Sequence, residues 1–282
     1  MTAPAARDGL PLLRFVPVES LIPHEQHDDQ RMQPLVKKLR EQAVLKNPPI
    51  VAPLDGSGQR FVVLDGANRC MAAQAAGFPH LVVQIVPYEE PHVRLSTWAH
   101  GLGDYSGDDF EKLLRAVPGL ECRNEPLQRA RATLARREAI ACAVFADGHA
   151  DTLHAEGDLH ARNRLLNAVV DTYRSSRRFV RVTTDSLDEV RARHADVTAL
   201  MVFPHFEPAE VIELAEGGAR LPAGITRHLI RWRALRLNVP IERLMAKDST
   251  DAKNTWLDEW LKDKLATRQV RFYEEPTVLF DE

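Results

Sequence analysis

The sequence contains few cysteines and no long hydrophobic run, and both absences limit what the chain can be. Its 282 residues include three cysteines, Cys70, Cys122 and Cys142, which form neither a CxxC pair nor an even set for disulfides. No apolar run approaches the roughly 18 residues of a membrane span, and the N-terminus lacks the apolar core of a signal peptide. We therefore expect a protein of the reducing cytoplasm, without a membrane segment.

An excess of basic charge is also missing. The chain carries 37 Lys and Arg against 40 Asp and Glu, a net charge of −3, and the first 100 residues hold 10 of each sign. Proteins that bind nucleic acid draw most of their affinity from clustered Lys and Arg on phosphates. The balance disfavours DNA binding as the main role, whereas a small anionic ligand needs only one local pocket.

The first hundred residues predict a small β-rich unit over 14–88. Apolar alternation predicts a first strand around Phe15 and Val16, placed at a sheet edge by Pro17. Helical spacing predicts a helix over 31–45. The remaining predictions are a hairpin of strands 50–53 and 60–64 around the turn 55–58, a helix from Asn68 to Ala76 ended by Gly77, and a strand over 80–86.

Longer helical stretches follow Trp98, with short strands between them. We predict helices over 108–117, 126–146, 163–176 and 254–268, and strands over 178–184, 197–203 and 269–275. Because the pattern changes to longer helical stretches beyond Trp98, we place a boundary near residue 105 and predict two domains, 1–104 and 105–282. The fold class is α+β, with a helix-rich second domain.

The stretch VLDGANRC, residues 63–70, carries the clearest chemical signal because a strand gives way to a helix there. Gly66 permits a tight turn, and Asn68 and Arg69 fall in the first helical turn. Free backbone N–H groups and the helix dipole favour an anion at such a terminus, and Arg69 could pair with it bidentately. The alternative is an ordinary helix start in which Asp65 is the cap and Arg69 is solvated.

The arrangement of VPVESLIPHEQ, LVKKLREQAVLKNPPIVAP and RFVVLDGANRCMAAQAAGFPHLVVQIV resembles the ParB/sulfiredoxin superfamily, whose strand–DGxxR–helix junction binds phosphate. The motifs HE at His24-Glu25, LSTWAHG, LPAGITRHLIRWRALRLNVPIE and WLKDKLATRQVRFYEE extend the resemblance, over most of the chain, to the free L-serine kinase group. This resemblance implies a ParB/sulfiredoxin-like nucleotide-binding domain and a second α+β domain that completes the substrate cleft. It also implies Mg²⁺-dependent phosphoryl transfer from ATP or ADP to free L-serine, giving O-phospho-L-serine.

Carried over residue by residue, the resemblance makes Glu25 the catalytic base and Asp65 a catalytic residue that binds Mg²⁺ directly or through water. A carboxylate base suits this reaction because a serine hydroxyl is a poor nucleophile at neutral pH. Position alone suggests two further nucleotide contacts before the strand 50–53. The predicted nucleotide- and phosphate-binding residues are Gly66, Ala67, Asn68, Arg69, Lys46 and Asn47. Ala67 and Asn68 depart from the two histidines that some relatives have.

By resemblance, the motifs LSTWAHG and LPAGITRHLIRWRALRLNVPIE would bind the acceptor, free L-serine. By resemblance its predicted contacts are Ser96, Thr97, Trp98, His100, Thr226, Arg227 and His228. Trp98 could instead be a core residue between domains, and Arg227 could form a surface ion pair. Two other functions stay open on the sequence, a ParB-like DNA-binding transcriptional regulator and a nucleotide hydrolase with the same phosphate site.

Overall fold

The computed structural model describes residues 10–26, 43–103, 105–174 and 179–273. They form the α+β fold that the sequence predicts. The strands are β1 Leu12–Pro17, β2 Leu21–Pro23, β3 Val44–Leu45, β4 Ile50–Pro53, β5 Phe61–Asp65, β6 His80–Ile85, β7 Val93–Thr97, β8 Ala99–Leu102, β9 Glu121–Pro126, β10 Ala141–Phe145, β11 His149–His154, β12 Phe179–Val182, β13 Ala199–Val202, β14 Thr226–Ile230 and β15 Val239–Pro240. The helices are α1 Ala67–Ala75, α2 Gly107–Arg115, α3 Leu127–Ala135, α4 Leu159–Arg174, α5 Leu187–Arg191, α6 Pro208–Glu216, α7 Ile241–Met245 and α8 Thr250–Ala266.

None of the helices in these residues has the length and apolar character needed to span a bilayer.

A five-stranded sheet, in the order β1-β6-β4-β5-β2, supports the strand–helix junction. β1 lies at an edge and pairs antiparallel with β6, as Pro17 predicts, and β4 and β5 form the predicted antiparallel hairpin. Helix α1 packs through Ala72 and Ala73, which are fully buried. Their small side chains bring the helix close to the sheet, so the position of its N-terminus is fixed by core packing.

Most of the predicted helix 31–45 lies outside the described residues. Its last two residues, Val44 and Leu45, form strand β3, which pairs antiparallel with β15. The apolar spacing at this end therefore belongs to a strand, because Leu45 is buried against the first sheet's core.

A second sheet, in the order β12-β8-β13-β10-β11-β9, contains the predicted strands β12 and β13. The predicted helix 126–146 is wrong in its second half: α3 ends at Ala135 and the chain enters β10. All five residues of β10 are buried, with β11 on one side and β13 on the other. A strand that is buried on both faces has no alternation of apolar and polar residues. Hydrophobic periodicity therefore does not distinguish such a strand from a buried helix.

Strands β14 and β7 pair antiparallel as a two-stranded ribbon. Strand β7 continues through Trp98 into β8 of the second sheet. Helix α8 returns to the first sheet, where Asn254 bonds both backbone polar groups of Phe15 at 2.8 and 3.1 Å. A strand is predicted over 269–275, but residues 269–273, the described part of this range, do not form one. Phe272 and Tyr273 are exposed there, so the alternating apolar residues have no core to pack against. The domain boundary at 104/105 stays a prediction.

Candidate active site

The junction between β5 and α1 has the geometry of an anion site. Gly66 is the N-cap residue of α1, with φ 90° and ψ 24°, and no side chain caps the helix. A Cβ at Gly66 would lie 2.9 Å from Nη2 of Arg69, so both the backbone angle and the space require glycine. The first-turn N–H groups, which have no carbonyl partner in the helix, face the cleft with the positive end of the dipole.

Asp65 is the centre of an ion-pair cluster and does not cap the helix. Its Oδ2 lies 3.5 Å from Nη2 of Arg69 and also accepts a hydrogen bond from Nη2 of Arg233. Arg69 donates a second bond, of 2.6 Å, to the backbone oxygen of Asn47. The guanidinium of Arg69 is therefore positioned by the protein, and its side chain stays about one quarter exposed.

Glu25 is held by the segment that precedes and begins β14. Its Oε1 accepts bonds from the backbone nitrogen and the hydroxyl of Thr226 at 2.7 and 2.6 Å, and its Oε2 accepts a 2.8 Å bond from the nitrogen of Gly224. Hydrogen bonds to an ionised group contribute about 1.5–3 kcal/mol each. Three of them fix both carboxylate oxygens in one orientation, facing the cleft.

One buried and two half-buried aromatic groups lie near this carboxylate. His24 is buried, and its ring meets that of His228 edge-on at 5.0 Å between centroids. Burial, and after it the neighbouring His24, holds the pKa of His228 well below its usual range. Nε2 of His228 lies 2.7 Å from the hydroxyl of Tyr88, whose pKa is raised by burial and then by the charge of Glu25. His228 and Tyr88 are therefore neutral at neutral pH.

Glu25, His24 and His228 line a cleft of about 520 Å³. It brings together ten of the predicted site residues: Glu25, Asp65, Gly66, Ala67, Asn68, Arg69, Trp98, Thr226, Arg227 and His228. Four arginines line the cleft against two carboxylates, in a chain whose net charge is −3. The guanidinium of Arg227 stacks 4.9 Å over the ring of Trp98, at the point where the ribbon meets the second sheet. The local charge thus favours an anionic ligand.

Five predicted residues lie elsewhere. Ser96 and Thr97 line a second cavity, of about 600 Å³, which Trp98 also borders. His100 is fully buried, and its Nε2 lies 3.0 Å from the oxygen of Gly224, so it supports the backbone segment 224–226 that binds Glu25. Lys46 and Asn47 are not among the residues that line the 520 Å³ cleft. Direct ligand contacts by these five stay predictions.

Sequence reasoning did not select two of the four cleft arginines, Arg181 and Arg233. Arg181 lies in β12 and packs against Gly224, where a Cβ would meet its side chain. Arg233 follows β14 and pairs with Asp65, 168 positions away. The signal for Arg233 was the basic run RWRALR inside the motif LPAGITRHLIRWRALRLNVPIE, whereas nothing local distinguishes Arg181 from other strand arginines.

No protein-family profile matches the chain. A curated ATP-dependent L-serine kinase of Desulfurococcus mucosus is 30% identical over 110 residues, which cover 39% of this chain and 43% of that protein. The chain thus spans less than half the length of this relative. The ATP-dependent L-serine kinase SbnI of Staphylococcus aureus is 25% identical over 96% of this chain and 97% of its own.

Solved structures share the fold. C-terminally truncated SbnI from Staphylococcus aureus superposes with a TM-score of 0.72 and 22% identity, covering 90% of this chain and 97% of that one. A free serine kinase in complex with AMP gives a TM-score of 0.69 at 17% identity, covering 85% and 98%. The similarity of this chain to the free L-serine kinase group, inferred from its motifs, is therefore confirmed in sequence and in fold.

Proposed function

We propose that this protein is a kinase that transfers a phosphoryl group from a nucleotide to free L-serine, giving O-phospho-L-serine. The observation that carries the proposal is the pairing, in one cleft, of an oriented carboxylate with an uncapped helix N-terminus. Glu25 supplies the carboxylate, and the junction 65–69 supplies the anion site. The names of the curated relatives, ATP-dependent L-serine kinases, support the choice of acceptor and donor.

Glu25 is the base in this proposal. Both of its oxygens accept backbone N–H bonds from the segment 224–226, which hold the carboxylate in one orientation. A base must lie within hydrogen-bond reach of the hydroxyl that it activates. The cleft in front of Glu25 offers that position, with Trp98 and Arg227 beside it to contact an amino acid's backbone groups.

The nucleotide phosphates would lie at the N-terminus of α1. Backbone N–H groups of the first turn, together with Arg69 and Arg233, neutralise the charge that phosphoryl transfer develops on the phosphate oxygens. Asn68 keeps an amide donor at one of the two positions where some relatives have histidine. Ala67 adds only its backbone N–H, so the phosphate contacts at this position come from the main chain.

Asp65 fits a magnesium ion. Mg²⁺ is commonly held by one or two carboxylates together with substrate phosphates, and the bonds from Arg69 and Arg233 both reach Oδ2, which leaves Oδ1 for the cation or its water. Bound there, Mg²⁺ would supply charge neutralisation at the transferred phosphoryl group. Asp65 itself binds and orients, and the two arginines keep its carboxylate at the edge of the cleft.

The test is a serine-dependent assay for phosphoserine with Mg²⁺ and either ATP or ADP. We expect product with ATP, and we expect Glu25→Ala to lower kcat by about 10²-fold or more, the usual contribution of a general base. Glu216→Gln, at an exposed position at the end of α6, is the control for an unspecific loss of charge.

Unchanged turnover in Glu25→Ala would remove Glu25 from the role of base. Nucleotide hydrolysis at the same rate with and without serine, and no phosphoserine, would instead establish the nucleotide hydrolase that the sequence left open. Preference for ADP over ATP would leave the reaction class intact and change only the donor.

A further inference from the structure

A chain of short contacts connects Glu25 to a buried histidine. The hydroxyl of Thr226 lies 2.6 Å from Oε1 of Glu25 and 2.7 Å from Nε2 of His24, and Nδ1 of His24 lies 2.5 Å from the backbone oxygen of Val63. His24 and Thr226 are 5% and 9% exposed. Water therefore has little access to the two inner members of the chain, and the hydrogen bonds must be made among the protein groups themselves.

The hydrogen-bonded series Glu25–Thr226–His24 has too few hydrogens for its contacts. A carbonyl only accepts, so Nδ1 of His24 carries a hydrogen and donates it to Val63. The hydroxyl of Thr226 has one hydrogen but faces two groups that accept when His24 is neutral and Glu25 is ionised. In that state the chain is one hydrogen short, and one of the two contacts joins a pair of acceptors.

One added proton completes the chain in either of two arrangements. With the proton on Glu25, the carboxyl donates to Oγ1 of Thr226, which donates to Nε2 of His24. With the proton on His24, Nε2 donates to Oγ1, which donates to the Glu25 carboxylate. Every polar atom of these three side chains has a matching partner in both arrangements, so the contacts can accommodate one proton received from a substrate.

We propose that Thr226 is a positioning residue that joins Glu25 to His24 in a proton relay for the reaction. This inference rests on the function proposed above. As the acceptor oxygen forms its bond to phosphorus and the donor's P–O bond breaks, its proton passes to the Glu25 carboxylate. That proton then moves to Oγ1 of Thr226 while the hydroxyl proton moves to Nε2 of His24, which restores the carboxylate and leaves an imidazolium. The nucleoside diphosphate departs with the electron pair of the broken P–O bond.

The surroundings leave His24 as the group that takes the proton. Burial lowers the pKa of His100 to about 4, and burial also keeps His228 and Tyr88 neutral, so these three do not compete for it near neutral pH. The charged groups of the same cleft are Asp65, Arg69, Arg181, Arg227 and Arg233. Asp65 is engaged by two guanidinium groups, and the arginines donate only.

The test compares Thr226→Val, which removes only the hydroxyl, with His24→Asn, whose amide can still donate to the oxygen of Val63. We expect each variant to lower kcat by about 10–100-fold, at the lower end of acid–base effects, with the KM for serine and nucleotide within about twofold of the wild type. Because both act in one chain, the double variant should be no slower than the slower single one. Thr226→Ser should restore kcat to within a few-fold, since it keeps the hydroxyl.

Thr133→Val is the matched control. Thr133 is a buried threonine whose hydroxyl also bonds a glutamate, Glu125, at 3.2 Å, but it lies outside the cleft. A kcat equal to the wild type in Thr226→Val, or multiplying losses in the double variant, would overturn the relay. If Thr226→Val does not unfold cooperatively, His24→Asn decides alone, and an unchanged kcat overturns the relay. A wild type that makes no phosphoserine refutes the proposed function instead.

Discussion

Lowering the pH should destabilise the protein through His100, a buried histidine next to the 520 Å³ cleft. Nε2 of His100 lies 3.0 Å from the backbone oxygen of Gly224, which only accepts, so this nitrogen carries the ring hydrogen. Nδ1 then accepts from the hydroxyl of Tyr173 at 2.9 Å. The rings of Phe179 and Phe203 enclose the imidazole, each at 5.0 Å between centroids. The neutral ring is fully satisfied, and a second ring hydrogen would meet the Tyr173 hydroxyl in an apolar site.

The loss of stability follows from the difference in the pKa of His100 between the folded and unfolded states. Burial, opposed in part by the bond to Gly224, lowers the pKa of His100 from 6.5 to about 4 in the folded protein. Above pH 6.5 the ring is neutral in both states and pH has no effect through it. As the pH falls from 6.5 towards 4, the unfolded chain binds a proton that the folded one does not, so stability is lost. Between pH 7 and 5 the loss is about 2 kcal/mol, rising to about 3 kcal/mol at pH 4.

The assay is urea unfolding of the wild type and of His100→Gln at pH 7, 6 and 5. The amide can still donate to Gly224 and accept from Tyr173, but it does not titrate. His80 and His228, whose pKa values burial also lowers, contribute equally to both proteins. The free energy of unfolding should therefore fall by about 2 kcal/mol more in the wild type than in the variant. Parallel curves, within about 0.5 kcal/mol, would refute the reasoning that His100 stays neutral in the fold.

Two further predictions concern the junction. Gly66→Ala and Gly77→Ala should each cost about 1 kcal/mol of stability, because both glycines have φ near +80° to +90°. Only Gly66→Ala should also weaken nucleotide binding, since its Cβ displaces Arg69 whereas the site of Gly77 is open. Calorimetric titration with ADP distinguishes the two variants, and equal affinities would contradict the steric argument. Arg233→Ala should raise the KM for nucleotide about tenfold or more, the value of a hydrogen bond to a charged group; an unchanged KM would mean that Arg233 serves Asp65 alone.

Local signals were enough to predict the junction. The hairpin β4–β5, the turn at Gly66 and the helix from Ala67 are each encoded within a few residues, by turn formers, a glycine and an apolar spacing. Each can therefore be inferred without knowledge of the rest of the chain. The break between α3 and β10 has no such signal, because Arg137 takes a left-handed conformation, φ 62°, without being a glycine or asparagine.

The hydrogen-bond partners of the proposed catalytic groups could not be predicted in the same way. Glu25 is bound by Gly224 and Thr226, which lie 199 and 201 positions away along the chain. Contacts of this kind depend on how β14 pairs with β7, and a single sequence contains no periodicity that reports such pairing. Motif resemblance predicted Thr226 as a substrate contact, but it did not indicate that its hydroxyl bonds Glu25.

The segment 224–233 contacts both Glu25 and Asp65 and so connects the two halves of the site. At its start it donates two backbone hydrogens to Glu25, and at its end Arg233 binds Asp65. Strand β14 begins at Thr226, the second of the two donors, and its five residues are extended and paired with β7, so they cannot shorten or lengthen without breaking the ribbon. Strand β14 therefore connects the backbone that binds Glu25 to the residues that lead to Arg233, and a substitution that disturbs β14 should impair both the proposed base and the proposed phosphate site.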